Sequence, residues 1–215
     1  TFSGATITAG TGSSARSSSF GVTTRAPDVT PNAFNLPDQT NAARSTFFYS
    51  VAYISGIEAA VSFNASGSGA VAVSTTAGNG SGSTSSGLAY TTGAVNVSAG
   101  QYLHVRLASS ASFSTATSTT VTGGGVSSVF SITTLASDTT PSSLSFPTIT
   151  GALASSPRIQ TDQILDINTA ASVSGSGNGV LTAVTSTIAV PASSSFSTAT
   201  KTVTNGQYVH AKMNA

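Results

Sequence analysis

Short runs in which apolar and polar residues alternate recur along most of the chain, punctuated by Gly, Asn, Ser and Pro. Between residues 45 and 134 they read "STFFYSVAYISGI", "AAVSFNA", "GAVAVST", "AVNVS", "QYLHVRL", "TSTTVT" and "VSSVFSITT". A period of two sends alternate side chains to opposite faces, the mark of a half-buried strand. No segment sustains a helical period with caps, so the predicted class is all-β. Seven strands in roughly 110 residues, with turn signals every ~8–12 residues, match an immunoglobulin-like sandwich. "TVTGGGVSSVF" reads as two strands joined by a glycine turn, and Asn205-Gly206 in "TVTNGQYVHA" as the two-residue turn of a hairpin.

The pattern itself repeats, which predicts tandem modules. "DVTPNAFNLPDQTNA" from Asp28 lies on "DTTPSSLSFPTITGA" from Asp138, a shift of 110 that superposes Pro31 on Pro141, Phe34 on Leu144, Leu36 on Phe146 and Pro37 on Pro147. The same shift brings Ile54 to Ile164, Ile57 to Ile167 and "GSG" at 67–69 to "GNG" at 177–179. Four extra residues near "GNGSGS" then reduce it to 106, where "GQYLHVRLAS" (100–109) meets "GQYVHAKMNA" (206–215). One phrase falls outside this register: "SFSTAT" at 112–117 and 195–200 is read as a recurrent strand text.

The first copy continues beyond its "GQY" phrase through "SASFSTATSTTVTGGGVSSVFSITTLAS", whereas the second reaches residue 215 at the phrase itself. The opening residues carry the missing text: Phe20, Val22, Thr23 and Thr24 stand 110 positions before Phe130, Ile132, Thr133 and Thr134. The expected organisation is therefore a closing β-hairpin of a preceding or neighbouring module (1–27), a complete immunoglobulin-like module (28–137) and a module lacking its final hairpin (138–215). Such a module has an open sheet edge and an unfilled core. Docking of Phe2, Ile7, Phe20, Val22 and Thr24 from a neighbouring chain would fill both, and Asp28 and Asp138 follow too directly for a closed ring of two. A head-to-tail contact of this kind propagates as a filament. A window cut from a longer covalent array of the same modules explains the text equally, and the absent initiator Met fits that account.

These phrases resemble the immunoglobulin-like repeats of large bacterial surface proteins and related fibre proteins. Such modules open with a phrase like "DTTPSSLSF", run through one like "GQYLHVRLASSASFST" and close with one like "GGGVSSVFSITT". The resemblance spans essentially the whole chain and implies a stalk or spacer of tandem sandwiches. Low charge and displaced ends set this chain apart from that pattern.

Composition narrows the role. Charged residues are 6% and the formal net charge is +1, too little basic surface to bind a phosphate backbone by counterion release. Nucleic acid is not an expected partner. With no Cys, neither disulfides nor thiolate metal sites exist. No run approaches the ~18 apolar residues of a membrane span, and Thr1 opens without the segments of a secretion signal. Disorder is the competing reading of so much Ser and Gly, but the regular Val, Ile, Thr and Phe positions oppose it.

Candidate chemistry is sparse. His104 and His210 occupy one position of the repeated phrase, and Tyr102, His104 and Arg106 share a strand face, expected to be exterior. No base, nucleophile and orienting group converge in the text, and no G-x-S-x-G elbow is present. An enzyme is not expected, nor is a cofactor. Asp28 and Asp138 mark module junctions where calcium is a candidate, yet the chain holds only six acidic residues, and calcium wants several carboxylates. The "D-x-T-P" phrase is more simply a turn opening the first strand. Thr-rich runs such as "VLTAVTSTIAV" suit a solvated strand face. Tyr49, Tyr53 and Tyr90 are candidates for stacking on a sugar, and Asn64, Asn79 and Asn96 precede x-Ser. The expected function is a structural subunit or segment of an extracellular or cell-surface filament or stalk. Its partner is then itself, as a head-to-tail homopolymer or a covalent tandem array. The alternative is a module of an adhesin or phage fibre that binds a surface glycan.

Overall fold

The computed structural model describes residues 2–214 except 79–81, 85, 86 and 178, and for residues 2 and 3 the backbone only. The chain forms two compact units, residues 1–135 and 136–215. Helix is confined to two 3-10 turns, Gly12–Ser14 and Ser193–Ser195, among the described residues. The protein is an all-β chain of sandwich modules.

In the first unit, among the described residues, β1 (Phe2–Ala9) and β2 (Arg16–Thr23) pair only with each other, as an antiparallel hairpin. The remaining strands are β3 (Gln39–Ala42), β4 (Phe47–Tyr53), β5 (Val61–Ala65), β6 (Ala70–Ser74), β7 (Val95–Val97), β8 (Tyr102–Ala108), β9 (Ala116–Gly123) and β10 (Val126–Thr134). They build two sheets, β3-β10-β9-β5-β7 and β4-β8-β6. The alternation of sequence becomes an alternation of burial: Val61, Phe63 and Ala65 point inward along β5 while Ser62 and Asn64 face solvent. Leu103, Val105 and Leu107 of β8 meet Phe63, Val121, Phe130 and Ile132 of the other sheet in one core.

All seven strands read from the text form, and an eighth, β3, was not legible there. Its "QTNA" has no apolar alternation; it is a strand because β10 pairs with it in parallel, Ile132 opposite Gln39 and Thr134 opposite Ala42. Gly124 and Gly125, both at positive φ, turn β9 into β10.

The second unit contains β11 (Pro157–Gln163), β12 (Ala171–Val173), β13 (Leu181–Thr185), β14 (Lys201–Val203) and β15 (Tyr208–Asn214), in sheets β11-β15-β13 and β12-β14. Pairing makes these the equivalents of β4, β5, β6, β7 and β8. Register places Leu181 where Ala70 stands, since each faces the basic residue at one position of the "GQY" strand, Lys212 and Arg106. That shift is 111, so the second copy has one extra residue before β13.

Two expectations fail here. Asn205-Gly206 turns the chain, with Gly206 at φ +83°, but it joins β14 to β15, which lie in different sheets. It is an arch, closed by the Gln207 N–H on the Thr204 carbonyl at 3.1 Å and by the Thr204 N–H on Gln207 Oε1 at 2.8 Å. The "SFSTAT" phrase is not strand text: residues 112–115 and 195–200 lie outside the named strands. What the two copies share is a Phe under a cation, Arg44 at 3.8 Å from the Phe113 ring centroid and Lys212 at 5.6 Å from that of Phe196.

Candidate assembly interface

The hairpin β1–β2 has the geometry of β9–β10. Ala9 pairs with Arg16 and Phe2 with Thr23, as Gly123 pairs with Val126 and Ala116 with Thr133. Ile7 therefore stands at the position of Val121, Phe20 at that of Phe130, Val22 at that of Ile132 and Thr24 at that of Thr134. The environments are opposite: Ile7, Phe20 and Val22 are 66, 58 and 56% exposed, whereas Val121, Phe130 and Ile132 are 0% exposed. Thr24 is exposed too, while Thr134 is buried and its hydroxyl donates to the Ser112 carbonyl at 2.7 Å. The Phe2 side chain lies outside the described residues.

Within residues 136–215 the surface equivalent to the one that β9 and β10 cover in the first unit is exposed. No strand there corresponds to β9 or β10 among the described residues, and residues 149–152, at the positions of β3, belong to no strand, with Gly151 at φ +67°. Among the described residues β12 pairs with β14 alone, whereas its equivalent β5 pairs with both β7 and β9. The buried core shrinks to Ile164, Ile167, Val203 and Val209. Phe146 and Met213 are exposed where their equivalents Leu36 and Leu107 are each 1% exposed. Between them lies a groove of about 360 Å³, mostly apolar, lined by Phe146, Ile149, Ala152, Val180, Ala211 and Met213 among others. Arg158 and Lys212 also line it.

No protein-family model matches the chain, and neither does any curated protein sequence. Among solved structures the chain is similar to parts of the S-layer protein SbsC. Domains 4 and 5 match at 10% identity and a TM-score of 0.30, over 62% of this chain and 58% of that one. Domains 4-9 match at 11% and 0.30, over 99% of this chain and 31% of that one. Domains 5-6 match at 10% and 0.29, over 88% and 86%. This chain thus spans little over half of the first structure and under a third of the second. A likeness at these values carries nothing about role.

The other candidate residues are structural in their contacts. His104 and His210 are not exterior: each is fully buried. Tyr102, His104 and Arg106 do share a face, but returning chain covers it, with Tyr49 bridged to Gly82, Val71 to Thr91 and, in the second unit, Thr182 to Ser197. Burial holds both imidazoles below their ordinary pKa. Hydroxyls bond both rings, Ser74 on His104 and Thr161 and Thr185 on His210, with no carboxylate beside them among the described residues. Asp28 and Asp138 form turns, each carboxylate accepting the N–H two residues on, from Thr30 and Thr140, at 2.8 Å. Glu58 Oε2 accepts the Asp28 N–H at 3.0 Å and pairs through Oε1 with Arg25. Asn168, at the same position, accepts the Asp138 N–H at 2.7 Å. No three His, Cys, Asp or Glu side chains gather into a metal site among the described residues.

Tyr49 is buried and packs against Tyr90, ring centroids 5.5 Å apart, beneath Arg106, so these two form no open platform. Tyr53 is exposed and leans on Tyr102 at 5.3 Å. Asn64 and Asn96 face solvent on strands, and Asn79 lies outside the described residues. The latch of Arg106 over Tyr90 and Lys212 over Phe196 escaped the sequence reading. Its signal was present: the shift of 106, carried back from the "GQY" phrase, sets Tyr90 on Phe196.

Proposed function

We propose that this chain is a structural segment of an extracellular or cell-surface filament or stalk. In it, immunoglobulin-like modules follow one another head to tail, and a hairpin from outside completes the open module. The role is mechanical and associative rather than catalytic. The observation that supports this most is the contrast of environments at equivalent positions, with Ile7, Phe20 and Val22 in water and Val121, Phe130 and Ile132 in a core.

Burying a Val, Ile or Phe side chain from water is worth about 1.5–3 kcal/mol. Three such side chains, with ladder bonds along two strands, are enough to hold a junction. The same contact removes two liabilities at once, an apolar hairpin that is marginal when isolated and an uncovered sheet edge. Donor and acceptor are different surfaces, so the contact is heterologous and repeats without closing. A chain with only 6% charged residues offers little repulsion to lateral packing of such strings.

The test is hairpin-dependent assembly. Chains of residues 1–215 are expected to polymerise by light scattering and electron microscopy, and chains lacking residues 1–27 to remain folded single units. A peptide of residues 1–27 is expected to shorten the polymers of the intact chain by capping open modules. Polymers that persist without residues 1–27 would overturn the proposal.

A further inference from the structure

Equivalent positions in the two units do not carry equivalent volumes, and the differences compensate across one boundary. In the first unit Gly123 of β9 faces Phe63 of β5, to which it is paired. A Cβ at Gly123 would come within 2.4 Å of the Phe63 ring. The hairpin has Ala9 at this position, one methyl larger. The second unit has Val173 in place of Phe63, smaller by most of a ring. At the neighbouring pair, Val121 opposite Ala65 corresponds to the larger Ile7 and to Gly175, where the Val180 side chain stands 2.5 Å from the place of a Cβ. A methyl at the position of Ala9 would thus collide with Phe63 in the first unit, whereas the second unit carries the smaller Val173 there.

Polar partners are matched as well. Ser128 Oγ accepts the Leu36 N–H at 3.2 Å; Ser18 stands at Ser128 and Phe146 at Leu36. Asp38 Oδ1 accepts the Ser131 N–H at 2.8 Å; Thr148, which lines the groove, stands at Asp38 and keeps an acceptor oxygen for the Gly21 N–H.

Resting on the assembly reading above, we infer that the groove of residues 146–213 is a register-locked slot for the β1–β2 hairpin of a second copy of this chain. β1 runs antiparallel to β12, setting Ala9 against Val173, Thr8 against Ser174 and Ile7 against Gly175. β2 runs parallel to residues 149–152, setting Val22 against Ile149 and Thr24 against Ala152. Phe20 and Val22 fill the space beside Phe146, Ala211 and Met213. Residues 149–152 become a strand only on docking, because among the described residues the sheet partner of their equivalent β3 is β10 alone.

The intact chain carries the test. Val173→Phe restores a ring opposite Ala9 and is expected to abolish polymers, and Ala9→Gly in the same chain to restore them, recreating the pair of the first unit. Ala9 lies on an exposed hairpin, so its substitution cannot repair a misfolded second unit, and rescue reads docking alone. The chain has no cysteine of its own. Thr8→Cys with Ser174→Cys is therefore expected to give a ladder of disulfide-linked oligomers on oxidation. Thr8→Cys with Ser172→Cys, about 7 Å out of register, is expected to give none.

A ladder from the shifted pair, no ladder from the matched pair, or polymers indifferent to Val173→Phe would overturn the slot while hairpin-dependent assembly stands. A matched disulfide confined to monomers would make the chain's own hairpin the occupant and overturn the second copy. Polymers independent of residues 1–27 would remove the reading beneath it.

Discussion

His210 lies between two hydroxyls, its Nδ1 2.7 Å from Thr161 Oγ1 and its Nε2 2.7 Å from Thr185 Oγ1. Thr185 Oγ1 donates to the Thr187 carbonyl, so it accepts from Nε2–H and Thr161 donates to Nδ1. His104 repeats half of this arrangement. Its Nε2 meets Ser74 Oγ at 2.9 Å, and that hydroxyl donates to the Thr76 carbonyl. Its Nδ1, buried, has no partner among the described residues. The cause is one residue: Val51 pairs with His104 where Thr161 pairs with His210.

Val51→Thr is therefore expected to stabilise the first unit. It supplies a donor to an orphaned buried acceptor at nearly unchanged shape, worth about 1 kcal/mol. The denaturant midpoint should rise with the slope unchanged. Thr161→Val should do the reverse in the second unit. A midpoint lowered by Val51→Thr would show that the hydroxyl finds no partner there.

Stability should fall on mild acidification. Burial depresses the folded pKa of both His side chains below the ordinary imidazole value of about 6.5. Below about pH 6.5 the unfolded chain then binds protons that the folded chain does not. The contribution is complete above the unfolded pKa and is lost as pH drops from there towards the folded value. Melting temperatures between pH 7.5 and 5 should decline, and His104→Gln with His210→Gln should flatten that part of the profile. An equal decline in the double variant would place the cause elsewhere.

Legibility from sequence tracked where the stabilising contacts lie. β5 and β8 were plain because their inward residues alternate within the strand itself. β3 was not, because "QTNA" owes its conformation to β10, distant in sequence and visible only as a parallel pair. The buried His side chains were misplaced because alternation names a face but not what covers it, and the cover comes from the segment around Gly82 and Thr91. The equivalence of Phe20 with Phe130 was readable from the repeat. The volume exchange at Ala9 and Val173 needed the pairing of β5 with β9, which no spacing supplies.

Gly123→Ala is expected to cost the first unit about 1–3 kcal/mol, the usual penalty of overpacking a filled core. The added methyl would meet the Phe63 ring, packed edge-on against Phe34 with centroids 5.7 Å apart. Phe63→Val in the same chain carries a cavity cost of its own, but the double variant should lose less stability than the two single changes summed, by chemical unfolding, because it removes the ring that the methyl would meet. Strictly additive losses would mean that the two positions do not share a contact.

The two equivalent phenylalanines should respond to truncation in opposite ways. Phe130→Ala removes a fully buried ring and is expected to destabilise the first unit by about 3–5 kcal/mol. Phe20→Ala removes a ring that the isolated chain exposes, so unfolding of the dilute chain should shift by no more than about 0.5 kcal/mol. Assembly should reverse the ranking. Once docked, Phe20 has the surroundings of Phe130, so Phe20→Ala should eliminate polymers at concentrations where the parent chain assembles, and Phe20→Leu should retain part of them. If Phe20→Ala assembles like the parent, the ring is surface decoration and the cohesion lies elsewhere. If it unfolds the dilute chain, the hairpin already packs within its own unit and is not free to reach another.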